Sequence, residues 1–182
     1  MTPTYTYDTP HGTLAIAPGR AEDVAILAAI GEEVMAWQRS QGIDPGQLPR
    51  PLLEIAAARV RAGGIYLATL GGAPAGTVTL LDEPEELWND LPGDALYVHG
   101  LMVQRAFAGQ EIGRVMLRWA ERRAAQLGKP LLRLDCDATN PTLRSYYERA
   151  GFAPSGDVTL AYRIAARYEK RVEEDANALE PV

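Results

Sequence analysis

A short glycine-bearing loop is the part of this 182-residue sequence best suited to hold a small anion. Gly109 and Gly113 bracket three residues, after an apolar run that ends at Val103 and at the start of a helical pattern. The first backbone amides of a helix have no intrahelical partner, and the helix dipole favours an anion beside them. Glycine lets the backbone approach an oxygen atom closely, and Arg105 and Arg114 add positive charge. The pattern indicates a diphosphate site, with an ordinary tight turn as the alternative.

Three familiar kinds of site are excluded by the motifs that the sequence lacks. It contains no G-x-x-x-x-G-K-[ST] segment, which excludes a P-loop nucleotide hydrolase, and the loop lacks the G-x-G-x-x-G of a dinucleotide fold. One cysteine and two histidines provide no correctly spaced ligand set for zinc. The sequence therefore predicts a phosphate-bearing ligand of another class and no metal.

The loop is positioned by a strand before it and a helix after it. Hydrophobic periodicity predicts helices at Ala21–Trp37, Leu52–Arg61, Ile112–Leu127 and Thr142–Ala150. It predicts strands at Thr13–Ala17, Ile65–Leu70, Gly76–Leu81, Ala95–Val103, Leu131–Cys136 and Thr159–Tyr168. The turn Gly71–Pro74 indicates an antiparallel hairpin, whereas the crossover helix 112–127 predicts that strands 95–103 and 131–136 run parallel.

A second pattern follows the loop and makes the whole arrangement more specific. Asn140, Tyr147, Gly151 and Phe152 have the spacing N-x-x-A-x-x-x-Y-x-x-x-G-F, with Leu143 in place of the alanine. Together with the strand that ends in valine and the loop related to R/Q-x-x-G-x-G/A, this pattern resembles the GNAT superfamily of acetyltransferases. The resemblance is densest from Leu96 to Phe152. It implies an α/β fold with a central twisted, mixed and mostly antiparallel sheet flanked by helices and splayed where the cofactor enters.

The resemblance implies that acetyl-CoA is the donor of an acetyl group and that CoA is the product. Backbone groups of Leu101, Met102 and Val103 would then contact the pantetheine arm, and Asn140 would contact the cofactor from the next strand end. The diphosphate would lie against the loop residues Ala108, Gly109, Gln110, Glu111, Ile112, Gly113 and Arg114.

The loop departs from the family pattern at two positions. Ala108 stands where arginine or glutamine is usual, and Glu111 stands where a glycine is usual. A carboxylate beside a diphosphate is repulsive unless it points away, although a carboxylate at a helix N-terminus also suits the dipole. We therefore expect acetyl-CoA affinity to be lower than in typical members.

Acetyl transfer to an amine needs a base for the amine proton and an acid for the departing thiolate. By the resemblance, Tyr147 lies near the sulfur and is the candidate acid; its neighbour Tyr146 faces about 100° away on the same helix. His99 is the candidate base because imidazole titrates near neutrality. The two-residue strand repeat places His99 on the same face as Tyr97 and Leu101. Tyr97 is the alternative base. The amide of Val103 would stabilise the oxyanion.

Several alternatives stay open at this stage. A fold that binds acyl-CoA without turnover is the competing function. Cys136 lies in an apolar strand without a partnered histidine, which favours buried filler over a nucleophile. Trp88 and the acidic residues around it fit either a pocket for a cationic amine or a surface loop with an anchoring tryptophan. The acceptor, a small-molecule amine or a peptide, is not readable from the sequence.

Composition limits the partners and the location. The net charge is −6 and no basic stripe is present, so no nucleic-acid footprint is expected. No apolar run approaches the roughly 18 residues of a membrane span, and the start of the chain does not have the pattern of an export signal. We expect a cytoplasmic protein with one domain over residues 1–168 and a polar acidic tail over 169–182. A homodimer is the commonest symmetric assembly, and the sequence leaves the oligomeric state open.

Overall fold

The computed structural model describes residues 3–46, 48–84, 86–161 and 163–173. The described strands are β1 (Tyr5–Thr9), β2 (Gly12–Pro18), β3 (Ile65–Leu70), β4 (Ala73–Leu81), β5 (Ala95–Val103), β6 (Leu131–Asp137), β7 (Ala153–Thr159) and β8 (Ile164–Arg171). The α-helices are α1 (Val24–Ser40), α2 (Leu52–Ala62), α3 (Ile112–Gln126) and α4 (Pro141–Arg149), with 3₁₀ turns at Ala21–Asp23, Glu86–Trp88 and Arg105–Phe107. None of these helices is both long and apolar enough to cross a membrane.

The strands have the order β1-β2-β3-β4-β5-β6-β8-β7. All described ladders are antiparallel except that of β5 with β6, which is parallel. The predicted mixed and mostly antiparallel sheet is therefore confirmed, as is the parallel pairing across α3. The described chain divides into two compact units, one with the residues up to Thr79 and Gly100–Met116, the other with Leu80–His99 and the residues from Leu117 onward.

The first unit is an antiparallel meander with two helices. Leu27, Ala28 and Ala56 of α1 and α2 form a core cluster with Ile65 of β3, and every one of them is less than 8 % exposed. These residues supply the apolar stripes that the helical spacing predicts. α2 ends at Gly63, whose φ of 78° is a left-handed cap that glycine adopts without steric cost.

The second unit carries the parallel ladder and the two C-terminal strands. The ladder between β5 and β6 has three residue pairs and ends at Tyr97 and Arg133. β5 continues for six residues beyond this point and β6 for four, to Val103 and Asp137. β6 then pairs along its whole length with β8. The expectation that the sheet is splayed where the cofactor enters stays a prediction.

Two strands escape the sequence prediction, and one is misplaced. β1 is a mainly polar segment, which was not predicted as a strand. β7 contains Pro154 and Gly156, which are not typical of a strand, and its register with β8 shifts between Pro154 and Asp157. The final strand, expected at Thr159–Tyr168, is β8 at Ile164–Arg171, so the chain is still in the sheet at Glu169, where a tail was predicted. Most of that predicted tail, residues 174–182, lies outside the described residues, and the prediction of a single domain over 1–168 stays a prediction.

Candidate active site

The turn before α3 has a left-handed backbone at two positions. Gly109 has φ 79° and Glu111 has φ 60°, and Glu111 is the only non-glycine residue with positive φ among those that the structure describes. The Val115 amide donates to the Glu111 carbonyl at 3.1 Å, at the start of α3. The backbone amides just before Val115, in the first turn of this helix, therefore have no intrahelical partner. The backbone therefore has the form that an anion site requires at the predicted diphosphate loop.

Both arginines near this turn are engaged by side chains of the protein. Arg114 Nη1 donates to Glu111 Oε2 at 3.0 Å, in an ion pair whose side chains are 46 % and 63 % exposed. The guanidinium of Arg105 lies over the ring of Trp37 with its carbon 3.8 Å from the ring centroid. The Arg105 amide donates to Glu33 Oε1 at 2.9 Å, which ties the turn to α1. In this state, Arg114 is paired with a carboxylate at the position where a diphosphate is expected.

The end of β5 approaches β4 closely at Gly76, a position that the sequence analysis did not single out. A Cβ atom built on Gly76 would lie 2.7 Å from the Met102 carbonyl oxygen, 3.3 Å from Met116 Sδ and 3.6 Å from Val103 Cα. The Gln104 amide donates to the Ala75 carbonyl at 2.8 Å just beyond this point. Glycine is therefore required here to let the backbone that carries Met102 and Val103 reach its position.

His99 lies half-buried on β5, immediately before a break in the strand geometry. Gly100 has φ 59°, which is left-handed and typical of a bulge within a strand. The two-residue alternation does not carry across such a residue, so alternation no longer supports a shared face for His99 and Leu101, and that expectation stays a prediction. His99 remains the candidate base, because its half-buried position on this strand does not depend on that alternation.

The start of α4 is built from local hydrogen bonds. Asp137 Oδ1 accepts from the amide and the hydroxyl of Thr139, and Asn140 Oδ1 accepts from the Leu143 amide at 3.0 Å as an N-cap. Pro141 occupies the first turn, where its missing N–H costs nothing. Asn140 thus has a structural role in addition to its predicted cofactor contact, and its amide NH₂ group is still a donor.

Tyr147 lies on α4 with 7 % of its surface exposed, whereas Tyr146 is only partly buried. Its ring centroid is 5.4 Å from that of Tyr146, 6.1 Å from Phe152 and 6.0 Å from Tyr168. Burial is the main cause that raises the pKa of Tyr147 far above its ordinary value, with smaller effects from Cys136, Tyr146 and Asp135. The hydroxyl is therefore protonated at neutral pH, which is the state that a proton donor needs.

Cys136 is buried on β6 as a free thiol. Burial, helped by the neighbouring carboxylate of Asp135, raises its pKa to about 11. Because the thiolate is the nucleophilic form, this environment makes Cys136 inert at neutral pH. Its interpretation as buried filler agrees with both observations.

Two buried arginines hold the segment between β4 and β5. Arg133 is 2 % exposed and donates to the carbonyls of Leu91 and Pro92 and to Glu169, while Arg167 donates to the Leu87 carbonyl and to Asp90. We call Arg133 and Arg167 the arginine clamp. Neither residue was singled out from the sequence, although an arginine between leucines at 132 and 134 is a signal of a buried partner.

The contacts of Trp88 with the arginine clamp show which of its two interpretations holds. The Trp88 ring is 3 % exposed and lies 5.4 Å from the Arg133 guanidinium, 5.7 Å from that of Arg167 and 5.8 Å from the Tyr97 ring. It is an anchoring tryptophan, and its ring faces are occupied by the protein's own cations and aromatic ring. The Tyr97 hydroxyl accepts from Arg133 at 3.4 Å, so Tyr97, the alternative base, belongs to the same structural network.

An open cleft of about 680 Å³ lies in the first unit, between α1 and the segment that leads into α2. Apolar side chains such as Met35 and Leu48 line it, and Glu32, Arg39 and Arg50 place both signs of charge around it. No group of three or more His, Cys, Asp or Glu side chains able to hold a metal ion occurs among residues 3–46, 48–84, 86–161 and 163–173.

Comparison with known proteins identifies the class to which this arrangement belongs. The chain belongs to the acetyltransferase (GNAT) family, since the model of that family matches residues 31–152. It is 29 % identical over 162 residues to the uncharacterized N-acetyltransferase YesJ of Bacillus subtilis (strain 168), covering 85 % of this chain and 88 % of that protein. The resemblance found in the sequence is therefore confirmed, and an acyltransferase is the class of enzyme that these matches support.

Solved structures agree with this assignment. A GNAT-family acetyltransferase from Listeria monocytogenes superposes with a TM-score of 0.77 at 26 % identity, covering 91 % of this chain and 99 % of that one. The ribosomal L7/L12 alpha-N-protein acetyltransferase RimL, in complex with coenzyme A, superposes with a TM-score of 0.68 at 17 % identity, covering 93 % and 99 % of the two chains. The second likeness shows the fold alone.

Proposed function

We propose that this protein transfers the acetyl group of acetyl-CoA directly to an amine, without a covalent enzyme intermediate. The observation that supports this most directly is the left-handed backbone of Glu111. A non-glycine residue in this conformation costs about 1 kcal/mol, and such strain persists only where the surroundings fix the turn. Residue 111 thus keeps, at a cost, the backbone form that glycine provides in the family's diphosphate loop.

The proposed cofactor contacts follow from family membership and from the residues present. Backbone groups of Leu101, Met102 and Val103 hold the pantetheine arm, and Asn140 adds a donor. Ala108, Gly109, Gln110, Glu111, Ile112, Gly113 and Arg114 surround the diphosphate. The unpaired amides at the start of α3 fit an anion of this kind, and acetyl-CoA supplies an activated thioester.

In the proposed reaction His99 takes a proton from the bound ammonium, through water if needed, so that the neutral amine attacks the thioester carbonyl. The Val103 amide donates to the oxyanion. As the carbon–sulfur bond breaks, Tyr147 donates its hydroxyl proton to the departing thiolate. The attacking nitrogen loses its second proton as the amide forms, this proton returns Tyr147 to the neutral phenol through solvent, and His99 releases its own proton to water. Burial keeps the Tyr147 phenol neutral, and the same raised pKa makes full proton transfer costly, so we expect the hydrogen bond itself to supply much of the stabilisation.

The first experiment is calorimetric titration of the purified chain with acetyl-CoA, with free CoA and NAD as controls. We expect saturable binding of acetyl-CoA and CoA and none of NAD. A screen of amines by thiol release then follows. Because the cleft of the first unit carries both signs of charge, the panel includes amino acids and peptide N-termini as well as polyamines. Absence of CoA binding would reject the proposal, and binding without turnover of any amine would indicate the non-catalytic acyl-CoA module.

Replacement of Tyr147 by phenylalanine tests the leaving-group role. The ring is buried and packed against Phe152 and Tyr168, so the variant keeps the packing and loses only the hydroxyl. We expect kcat to fall about 100-fold, at the lower end of the range for general acid–base catalysis, while the Kd for acetyl-CoA stays within twofold. Unchanged kcat with a good acceptor would remove Tyr147 from the mechanism.

His99→Ala tests the proposed base. If His99 accepts the amine proton, its loss removes the acid limb of the dependence of kcat/KM on pH, because that limb reports protonation of the base in the free enzyme. His99→Gln serves as a matched polar control that cannot titrate. A profile that is the same in wild type and both variants would assign the proton to water or Tyr97.

A further inference from the structure

Tyr168 of β8 lies beneath the proposed catalytic tyrosine. It is fully buried at 0 % exposure, and its ring centroid is 6.0 Å from that of Tyr147 at an interplanar angle of 44°. Phe152 contacts the Tyr147 ring as well, at 6.1 Å and 71°. Of the two rings from outside α4 that contact the Tyr147 ring, only that of Tyr168 carries a polar group.

The Tyr168 hydroxyl reaches back to the helix that carries Tyr147. It donates to Glu148 Oε1 at 3.0 Å. The pKa of Tyr168 is raised mainly by burial and also by the bond to Glu148, while a hydrogen bond with Arg144 lowers it. Arg144 and Glu148 are four residues apart and thus share one helix face, and Tyr147 lies between them in sequence. The hydrogen bond from the hydroxyl thus holds α4 at Glu148, the residue next to Tyr147.

Arg144 has further anchors that do not depend on Tyr168. Its Nη1 donates to the Ala138 carbonyl at 3.3 Å and to Asp157 Oδ2 at 3.0 Å. These bonds tie α4 to the turn after β6 and to β7. Removing the Tyr168 hydroxyl leaves both bonds and all the ring contacts in place, so Tyr168→Phe is a conservative change for the fold.

We propose that Tyr168 is a positioning residue, which fixes the direction of the Tyr147 hydroxyl through the ring contact and through its hold on α4. The inference rests on the proposed role of Tyr147 as donor to the thiolate. Donor geometry matters in such a step, because a displacement of about 1 Å can cost up to 100-fold in rate. Loss of the Tyr168 hydroxyl releases α4 at Glu148, so that the Tyr147 hydroxyl is no longer held in one direction.

A double-mutant cycle tests this inference with the best amine found in the screen as acceptor. Tyr168→Phe is expected to lower kcat about 3- to 10-fold, with the KM for acetyl-CoA within twofold of wild type. In the Tyr147→Phe background the same substitution is expected to have no further effect on kcat, because the group that it positions is already absent. Glu148→Ala should reproduce the loss, and Glu148→Gln, which keeps an acceptor for the hydroxyl, should lose less.

Each other outcome rejects a distinct statement. If Tyr168→Phe lowers kcat by the same factor in both backgrounds, Tyr168 acts through something other than Tyr147, and the inference fails while the proposed function stands. If Tyr168→Phe alone leaves kcat unchanged, the hydroxyl positions nothing. If Tyr147→Phe retains full kcat, the role of Tyr147 itself fails. Thermal unfolding of each variant separates loss of the fold from loss of rate.

Discussion

Replacement of Gly76 by alanine is expected to disturb stability and cofactor binding together. The new Cβ would lie 2.7 Å from the Met102 carbonyl oxygen, whereas ordinary contacts begin at 3.4 Å. The obstacle is backbone, so β4 and the end of β5 must separate by about 0.7 Å, the difference between those two distances. That backbone carries Met102 and Val103, which we propose as contacts of the pantetheine arm.

The net cost follows from two opposing effects. Overpacking of this kind costs about 1–3 kcal/mol, and the lower entropy of the unfolded chain after a glycine-to-alanine change returns about 0.4–1 kcal/mol. We expect the free energy of unfolding to fall by about 1–2 kcal/mol. For a chain of this size, that corresponds to a decrease in Tm of about 2–8 °C.

Urea unfolding and calorimetric titration with acetyl-CoA measure the two effects. The matched control is Gly31→Ala on α1, where the three atoms nearest to the new Cβ all belong to the Leu52 side chain, with its methyl groups at 3.1 and 3.2 Å. Those atoms can rotate away, and alanine favours a helix by about 1 kcal/mol over glycine, so stability should be equal or higher and the Kd unchanged. A Gly76→Ala protein as stable as wild type, with an unaltered Kd, would refute the close approach of these strands.

Two further substitutions test the local environments of the site. Glu111→Gly removes both the left-handed strain and the carboxylate that pairs with Arg114, so acetyl-CoA should bind several-fold more tightly at low salt. Glu111→Gln removes the charge and keeps a non-glycine residue in the left-handed conformation, so it separates the effect of the charge from that of the backbone. Equal Kd values for wild type and both variants would show that Glu111 does not compete with the diphosphate. Cys136 should resist a thiol reagent at pH 8 in the native protein and react at once in denaturant. Because its folded-state pKa of about 11 lies above the ordinary value, the native state keeps a proton that the unfolded state loses, and stability should fall as pH rises from about 9 to 11 more steeply than in Cys136→Ala.

The elements that the sequence predicts correctly are those whose pattern is local. β3 and β5 have the predicted bounds because each is an apolar run flanked by turn-forming residues. β7 was missed because its side chains are largely exposed and give no apolar alternation. β1 was missed although its burial does alternate, because its inward face consists of two tyrosines and a threonine rather than of aliphatic residues. Exposed strands are stabilised by pairing with a neighbour, and this information lies in the partner strand rather than in the segment itself.

The candidate site also contains features that could be predicted from the sequence and features that could not. The order of strand, loop, helix and tyrosine could be predicted, because each motif is contiguous in sequence. The left-handed backbone at Glu111 could not, since glutamate gives no sign of that conformation. The clamp bond from Arg167 to the Leu87 carbonyl joins residues 80 apart, and no local pattern indicates which loop a buried arginine will hold.

The arginine clamp has a consequence for how this chain tolerates change. Three of its bonds go to the main-chain oxygens of Leu91, Pro92 and Leu87, a kind of acceptor that every amino acid possesses. The path of that segment is thus held largely independently of which side chains it displays. Outward-facing residues between β4 and β5 can be exchanged without a change in the backbone path of the loop. This stretch is therefore suited to grafting new surface sequences onto the fold.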